Sequence, residues 1–80
     1  MAQPHPDVEP RSLNCAVVTV SDTRTEVDDR SGQLIRDVLQ TAGHQVVAYR
    51  IVKDEPEQIA TYLQVLCEDE STDAVIFNGG

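Results

Sequence analysis

Residues 15–20 read Cys-Ala-Val-Val-Thr-Val, a short, β-rich and nearly all-apolar run. A strand with one wetted face alternates apolar and polar side chains; this segment does not. Such a run suits a strand covered on both faces, as in a parallel sheet. The segments C-terminal to it decide the architecture.

Ser21 to Arg30 is polar, with Ser21, Asp22, Asp28 and Asp29, and reads as a loop. Leu34, Ile35, Val38 and Leu39 repeat at the spacing of a helix face. This helix is expected to start near Asp29–Ser31 and to stop at Gly43, which suits a left-handed C-terminal cap. Residues 45–51 form a second strand. Asp54-Glu-Pro-Glu57 opens a second helix: Asp54 suits the N-cap, Pro56 the first turn, and Glu55 and Glu57 the positive end of the dipole. Ile59, Tyr62, Leu63 and Leu66 make its buried stripe. Residues 73–77 (DAVIF) form a third strand, followed by Asn78-Gly79-Gly80. The order β-α-β-α-β defines the α/β class, an open, mostly parallel sheet with flanking helices and right-handed crossovers.

At 80 residues there is room for one domain. Residues 1–12 hold three of the four prolines and no hydrophobic periodicity, and are expected to be a flexible tail. Residues 13–80 are expected to be the N-terminal part of a longer domain, because a three-stranded α/β piece is small and stops where a ligand loop and a further helix normally begin. No signal peptide is visible near the N-terminus, so a cytoplasmic location is expected. No apolar run reaches membrane-spanning length. Fourteen acidic against six basic residues give a net charge of −8, which argues against nucleic acid or an anionic membrane as partner. A small anionic ligand is still compatible, because backbone amides can hold one locally. Cys15 and Cys67 cannot make a four-ligand zinc site and are expected to be reduced core residues.

Ligands of open α/β sheets bind outside the carboxyl ends of the strands. Here those ends are Ser21-Asp22, Lys53-Asp54-Glu55 and Asn78-Gly79-Gly80, which should converge on one rim. Gly79 and Gly80 suit either a tight turn or a backbone approach to phosphate. Asp54 suits either a helix N-cap or a carboxylate holding Mg²⁺ or a substrate group. Ser21 and Asp22 suit turn residues or contacts to a polar substrate. A receiver-type phosphoacceptor domain would need Asp where Asn78 stands. His44 is expected to be a solvated turn residue on the opposite rim, and His5 has no partner in view. Arg24 and Arg30 either neutralise a phosphate or pair with Asp28 and Asp29, the pairing being the simpler expectation. Glu68-Asp-Glu70 reads as a solvated helix end, although acids there oppose the dipole.

Taken together, residues 18–22 (VTVSD), 29–32 (DRSG), 51–55 (IVKDE) and 75–80 (VIFNGG) resemble the MoaB/Mog family of molybdenum cofactor biosynthesis proteins, which are related to the G domain of gephyrin. The resemblance spans residues 13–80, and the order and spacing of the four segments carry it. Related molybdotransferase and CinA-like domains usually read Gly-(Thr/Asn/Asp)-Glu after the first strand, whereas this chain reads Ser21-Asp22. The resemblance implies an adenylyltransferase acting on molybdopterin with Mg-ATP, or a non-catalytic molybdopterin-binding protein of the same fold. It implies Asp54 as a catalytic carboxylate and Mg²⁺ ligand, and Ser21, Asp22, Gly79 and Gly80 as substrate-binding positions. It also implies self-association as a trimer or hexamer and a molybdate-inserting partner enzyme. The first two glycines of the family's Gly-Gly-Thr-Gly loop match Gly79 and Gly80, while its Thr-Gly and the second carboxylate would lie beyond Gly80, so the 80 residues alone are expected to lack activity and to expose a face.

Overall fold

The computed structural model describes residues 12–79. The expectations placed on residues 1–11, His5 and Gly80 lie outside them. Five elements follow in order: β1 (Asn14–Val20), α1 (Arg30–Thr41), β2 (Gln45–Val52), α2 (Pro56–Glu68) and β3 (Ala74–Gly79). The sheet is parallel with order β2-β1-β3, so the apolar run of β1 is the central strand. Residues 15–19 are all buried, as a strand sandwiched between two layers requires.

Side chains alternate across the sheet and thereby divide the core. Ala16 and Val18 face α2, where they cluster with Val52 and Leu66 and are flanked by Val20, Ala48, Ile59, Tyr62 and Val75. The opposite face takes Cys15, Val17 and Thr19, and α1 packs there against β1 and β2. The pairing of β1 with β2 shifts between Cys15 and Ala16: Cys15 pairs with Val46, but Ala16 pairs with Ala48. Val47 is the extra residue, a bulge in the pair. Beyond it, Tyr49 pairs with Val17 and so lies on the face of Thr19 and α1.

Both helix ends of α1 are chemically fixed. Asp29 is its N-cap and accepts from the Gly32 N–H. At the other end Gly43 has φ +93°. Its N–H donates to Gln40 O at 3.0 Å and the His44 N–H donates to Leu39 O at 2.9 Å, the paired bonds of a Schellman cap.

Several sequence expectations need correction. Leu34 and Val38 are 63% and 58% exposed, whereas Ile35 and Leu39 are half-buried. The helix rests on two strands and buries only the narrower stripe. Cys15 is buried but Cys67 is exposed, one position round α2 from the buried Leu66. His44 is not simply solvated: its Nδ1 accepts the Leu13 N–H at 3.1 Å, tying the helix turn to the start of β1. The N-cap of α2 is Glu55, not Asp54, and its side chain makes no capping bond to the helix backbone. Instead Glu55 accepts from the Gln58 side chain at 2.6 Å. The third strand continues two residues further than expected, through Asn78 and Gly79. Asp69 also gains a reason: its carboxylate accepts from the Ser71 N–H, the Ser71 hydroxyl at 2.6 Å and the Thr72 hydroxyl. Those bonds, Ser71 foremost, hold its pKa below the usual carboxylate range and build the turn into β3.

Candidate functional site

All three strands are parallel, so Ser21-Asp22, Lys53-Asp54 and Gly79 stand at the same end of the sheet. The expected rim therefore exists. The Asp54 N–H donates to Asp22 Oδ1 at 3.1 Å, which joins the loop after β1 to the loop after β2. Asp22 and Asp54 are both exposed, and the Asp54 carboxylate has no hydrogen-bond partner among the described residues. Ser21 is buried and turned inward. Its N–H extends the β1–β2 ladder to Val52 O at 2.9 Å, while its Oγ accepts from the N–H groups of Thr23 and Arg24. The Ser21 hydroxyl thus shapes the loop start, a turn arrangement natural to serine. Gly79 is extended, pairs with Val20, and a Cβ there would meet nothing within 4 Å. Among the described residues, neither a left-handed turn nor close packing demands glycine at that position.

Beneath the rim lies a buried carboxylate that sequence reasoning marks only as a helix start. Asp29 is fully buried. Its Oδ2 accepts from the Thr19 hydroxyl at 2.6 Å and from the Tyr49 hydroxyl at 2.5 Å. Its Oδ1 accepts from the Gly32 N–H at 3.2 Å and forms an ion pair with Arg24 Nη1 at 3.4 Å. Burial alone would raise the Asp29 pKa, yet the bonds from Thr19, Tyr49, Gly32 and Arg24 outweigh it and hold the group below its ordinary value. Burial and the neighbouring carboxylate push the Tyr49 phenol up to about 12. Arg36 stacks over the Tyr49 ring at 3.9 Å, and the Asn78 side chain reaches the Thr19 hydroxyl in a long 3.5 Å contact. One acid therefore gathers groups from β1, β2, α1 and the first loop, with β3 touching through Asn78. Gly32 was the available signal. Glycine in the first turn of a helix is unfavourable unless something approaches closely, and a Cβ here would overlap Asp29 Oδ2.

An open cleft of about 460 Å³ adjoins the rim between the first loop and the end of β2, lined by residues that include Ser21, Asp22, Arg24, Tyr49 and Lys53. Arg24 pairs with Asp29, in line with the simpler expectation; among the described residues Arg30 makes no ion pair. No group of three or more His, Cys, Asp or Glu side chains among the described residues is arranged to hold a metal ion. The Asp54 carboxylate, without a hydrogen-bond partner among the described residues, is an oxygen donor of the type that Mg²⁺ takes together with waters and substrate phosphates.

A parallel α/β domain with paired acids and a glycine-ended strand at one rim is a ligand-binding class of fold. Residues 16–80 match the family described as "probable molybdopterin binding domain", and the chain belongs to that family. It is 47% identical over 78 residues to molybdenum cofactor biosynthesis protein B of Bacillus subtilis (strain 168), covering 98% of this chain and 46% of that protein. The protein of the same name from Escherichia coli (strain K12) is 38% identical over 65 residues, covering 81% of this chain and 38% of its own. A crystal structure of molybdenum cofactor biosynthesis protein B superposes with a TM-score of 0.85 at 44% identity, covering 90% of this chain and 45% of that one. The chain thus spans about half the length of the relatives it matches. Among the described residues no helix is long and apolar enough to cross a membrane.

Proposed function

We propose that this chain is part of a molybdenum cofactor biosynthesis protein that binds molybdopterin at the strand rim and, with Mg-ATP, transfers an adenylyl group to it. The observation that carries the reading is the Asp22–Asp54 junction beside Gly79, on a fold shared with relatives named for molybdenum cofactor biosynthesis. In this reaction a molybdopterin phosphate oxygen bonds to the α-phosphorus of ATP. The bond from that phosphorus to the bridging oxygen breaks, and pyrophosphate leaves with the electron pair. Little covalent help is needed from the protein; positioning and charge neutralisation dominate. Asp54 offers an unengaged carboxylate at the rim, and Asp22 fixes the backbone that carries it. Mg²⁺, held through Asp54, would offset charge on the triphosphate and the leaving pyrophosphate. Ser21, Gly79 and Gly80 complete the substrate-binding positions in this reading, with self-association as a trimer or hexamer, a molybdate-inserting partner and a cytoplasmic setting.

The test is pyrophosphate release by the full-length protein that contains this chain, with molybdopterin and Mg-ATP. Adenylylation predicts release that depends on molybdopterin and falls by orders of magnitude in Asp54→Asn with molybdopterin binding retained. Tight molybdopterin binding without pyrophosphate release would move the reading to a non-catalytic binding protein of the same fold. Absence of molybdopterin binding would overturn both.

A further inference from the structure

The net charge of the chain is −8, yet in the cleft between the first loop and β2 basic side chains offset the acidic ones. Three of the chain's six basic residues line it, Arg24, Arg50 and Lys53, against only Asp22 and Glu26 of its fourteen acids. Arg50 is shared with the other side of the sheet, where its guanidinium sits 5.0 Å from the Tyr62 ring centre. Arg24 and Lys53 are left to the cleft. Arg24 is held from two directions. Its N–H donates to Ser21 Oγ at 3.1 Å, and one guanidinium nitrogen pairs with the fully buried Asp29. A guanidinium has five N–H donors in a planar fork, and a single contact at 3.4 Å leaves most of them for a ligand. Asp29 is itself locked by Thr19, Tyr49 and Gly32, so the arginine is anchored to rigid structure before any ligand arrives.

We propose that this cleft is a phosphate-binding site, with Arg24 as its principal contact and Lys53 as a second positive charge. It deepens the adenylyltransferase reading and rests on it for the identity of the ligand, since both ATP and molybdopterin carry phosphate. The volume, about 460 Å³, is that of a site for a small molecule. Thr25 and Tyr49 also line it. Tyr49 stays protonated through neutral pH, because its pKa is raised to about 12.

The experiment titrates ATP, molybdopterin and inorganic phosphate separately into the full-length protein that contains this chain, comparing wild type with Arg24→Gln and with Arg30→Gln, an arginine of the same region that does not line the cleft. Losing a charge-assisted, two-pronged contact should weaken binding about tenfold or more in Arg24→Gln. Arg30→Gln should match wild type in affinity, circular dichroism and melting temperature, whereas Arg24→Gln should keep the wild-type circular dichroism with a melting temperature lowered only by the lost pairing to Asp29. Loss confined to ATP assigns the cleft to the nucleotide; loss confined to molybdopterin assigns it to the pterin phosphate. Wild-type affinity of Arg24→Gln for ATP and molybdopterin, both of which the wild type binds, overturns the inference and leaves the adenylyltransferase reading standing. Arg24-dependent binding of inorganic phosphate by a protein that ignores molybdopterin keeps the cleft and overturns that reading. A wild type that binds none of the three probes overturns both.

Discussion

Asp22 holds Asp54 in place: a carboxylate oxygen of the first accepts the backbone N–H of the second at 3.1 Å, across 32 residues of sequence. The bond is exposed, so its contribution to global stability is modest. Its consequence lies in the geometry of residues 53–55, which join β2 to α2.

Replacing Asp22 by Ala removes that acceptor. The expected cost is about 1 kcal/mol or less, the usual net value of one exposed hydrogen bond. The Asp54 amide should exchange faster with solvent, while β1 amides keep their protection. Hydrogen exchange read residue by residue checks this; unchanged exchange at Asp54 would mean that Asp22 does not hold the loop.

Asp29→Ala should be far more damaging. It leaves the buried hydroxyls of Thr19 and Tyr49 without their acceptor and removes the α1 N-cap. A loss of about 3 kcal/mol or more is expected from unsatisfied buried donors and the missing cap together. Chemical denaturation of the two proteins measures it, and a loss under about 1 kcal/mol would be the value of an ordinary cap alone.

The altered pKa values of Asp29, Asp69 and Tyr49 set opposite ends of a pH window. The folded-state pKa of Asp29 lies below its unfolded value of about 4, so its contribution is present above that pH and is lost as pH falls through the folded value. Asp69 adds a change in the same direction. Tyr49 is the reverse case: raised to about 12, it contributes fully below about 10 and loses that contribution as pH rises towards 12. Melting temperature should therefore decline on the acid side below about pH 4, and in alkali above about pH 10. In Tyr49→Phe the alkaline absorbance titration should lose its component near 12.

Gly32→Ala and Gly43→Ala separate two reasons for glycine. At Gly32 a Cβ would overlap Asp29 Oδ2 and stand 2.8 Å from Thr19 Oγ1, both fixed by hydrogen bonds. Overpacking of about 1–3 kcal/mol should exceed the gain of about 1 kcal/mol in helix propensity. At Gly43 a Cβ meets nothing within 4 Å, and the cost is the left-handed backbone alone, about 1 kcal/mol. Restoring space by pairing Gly32→Ala with Thr19→Ser should not help, since the hydroxyl oxygen remains, and thermal melts of the set would distinguish the two glycines.

The fold is readable because each element carries its own local signal. The apolar run at residues 15–20 marks a doubly covered strand, and Gly43 marks the end of α1. The acids and glycine at the strand ends follow from parallel topology. Asp29 as a hub is not readable, because its partners Thr19 and Tyr49 lie 10 and 20 residues away and meet only in the folded sheet. Asp54 suits a cap by residue type, but the chain spends one more residue in the turn, and Glu55 takes the position. Leu34 and Val38 fit helix periodicity, but periodicity states which residues share a face and not how wide a surface waits to cover it.

Val47 has an effect beyond its own place in the sheet. With a regular pairing from Asn14 onward, Tyr49 would stand opposite Val18 rather than Val17, and its hydroxyl would point into the α2 layer. The bulge therefore absorbs one supernumerary residue, and the strand beyond it keeps its phase. Forcing Val47 into the ladder would exchange inside for outside at every later position and turn Tyr49 away from Asp29. Deleting Val47 would instead leave Ala48 opposite Ala16 and Tyr49 opposite Val17. The strand thus carries one residue of slack, and its alternation survives because that slack is spent outside the ladder.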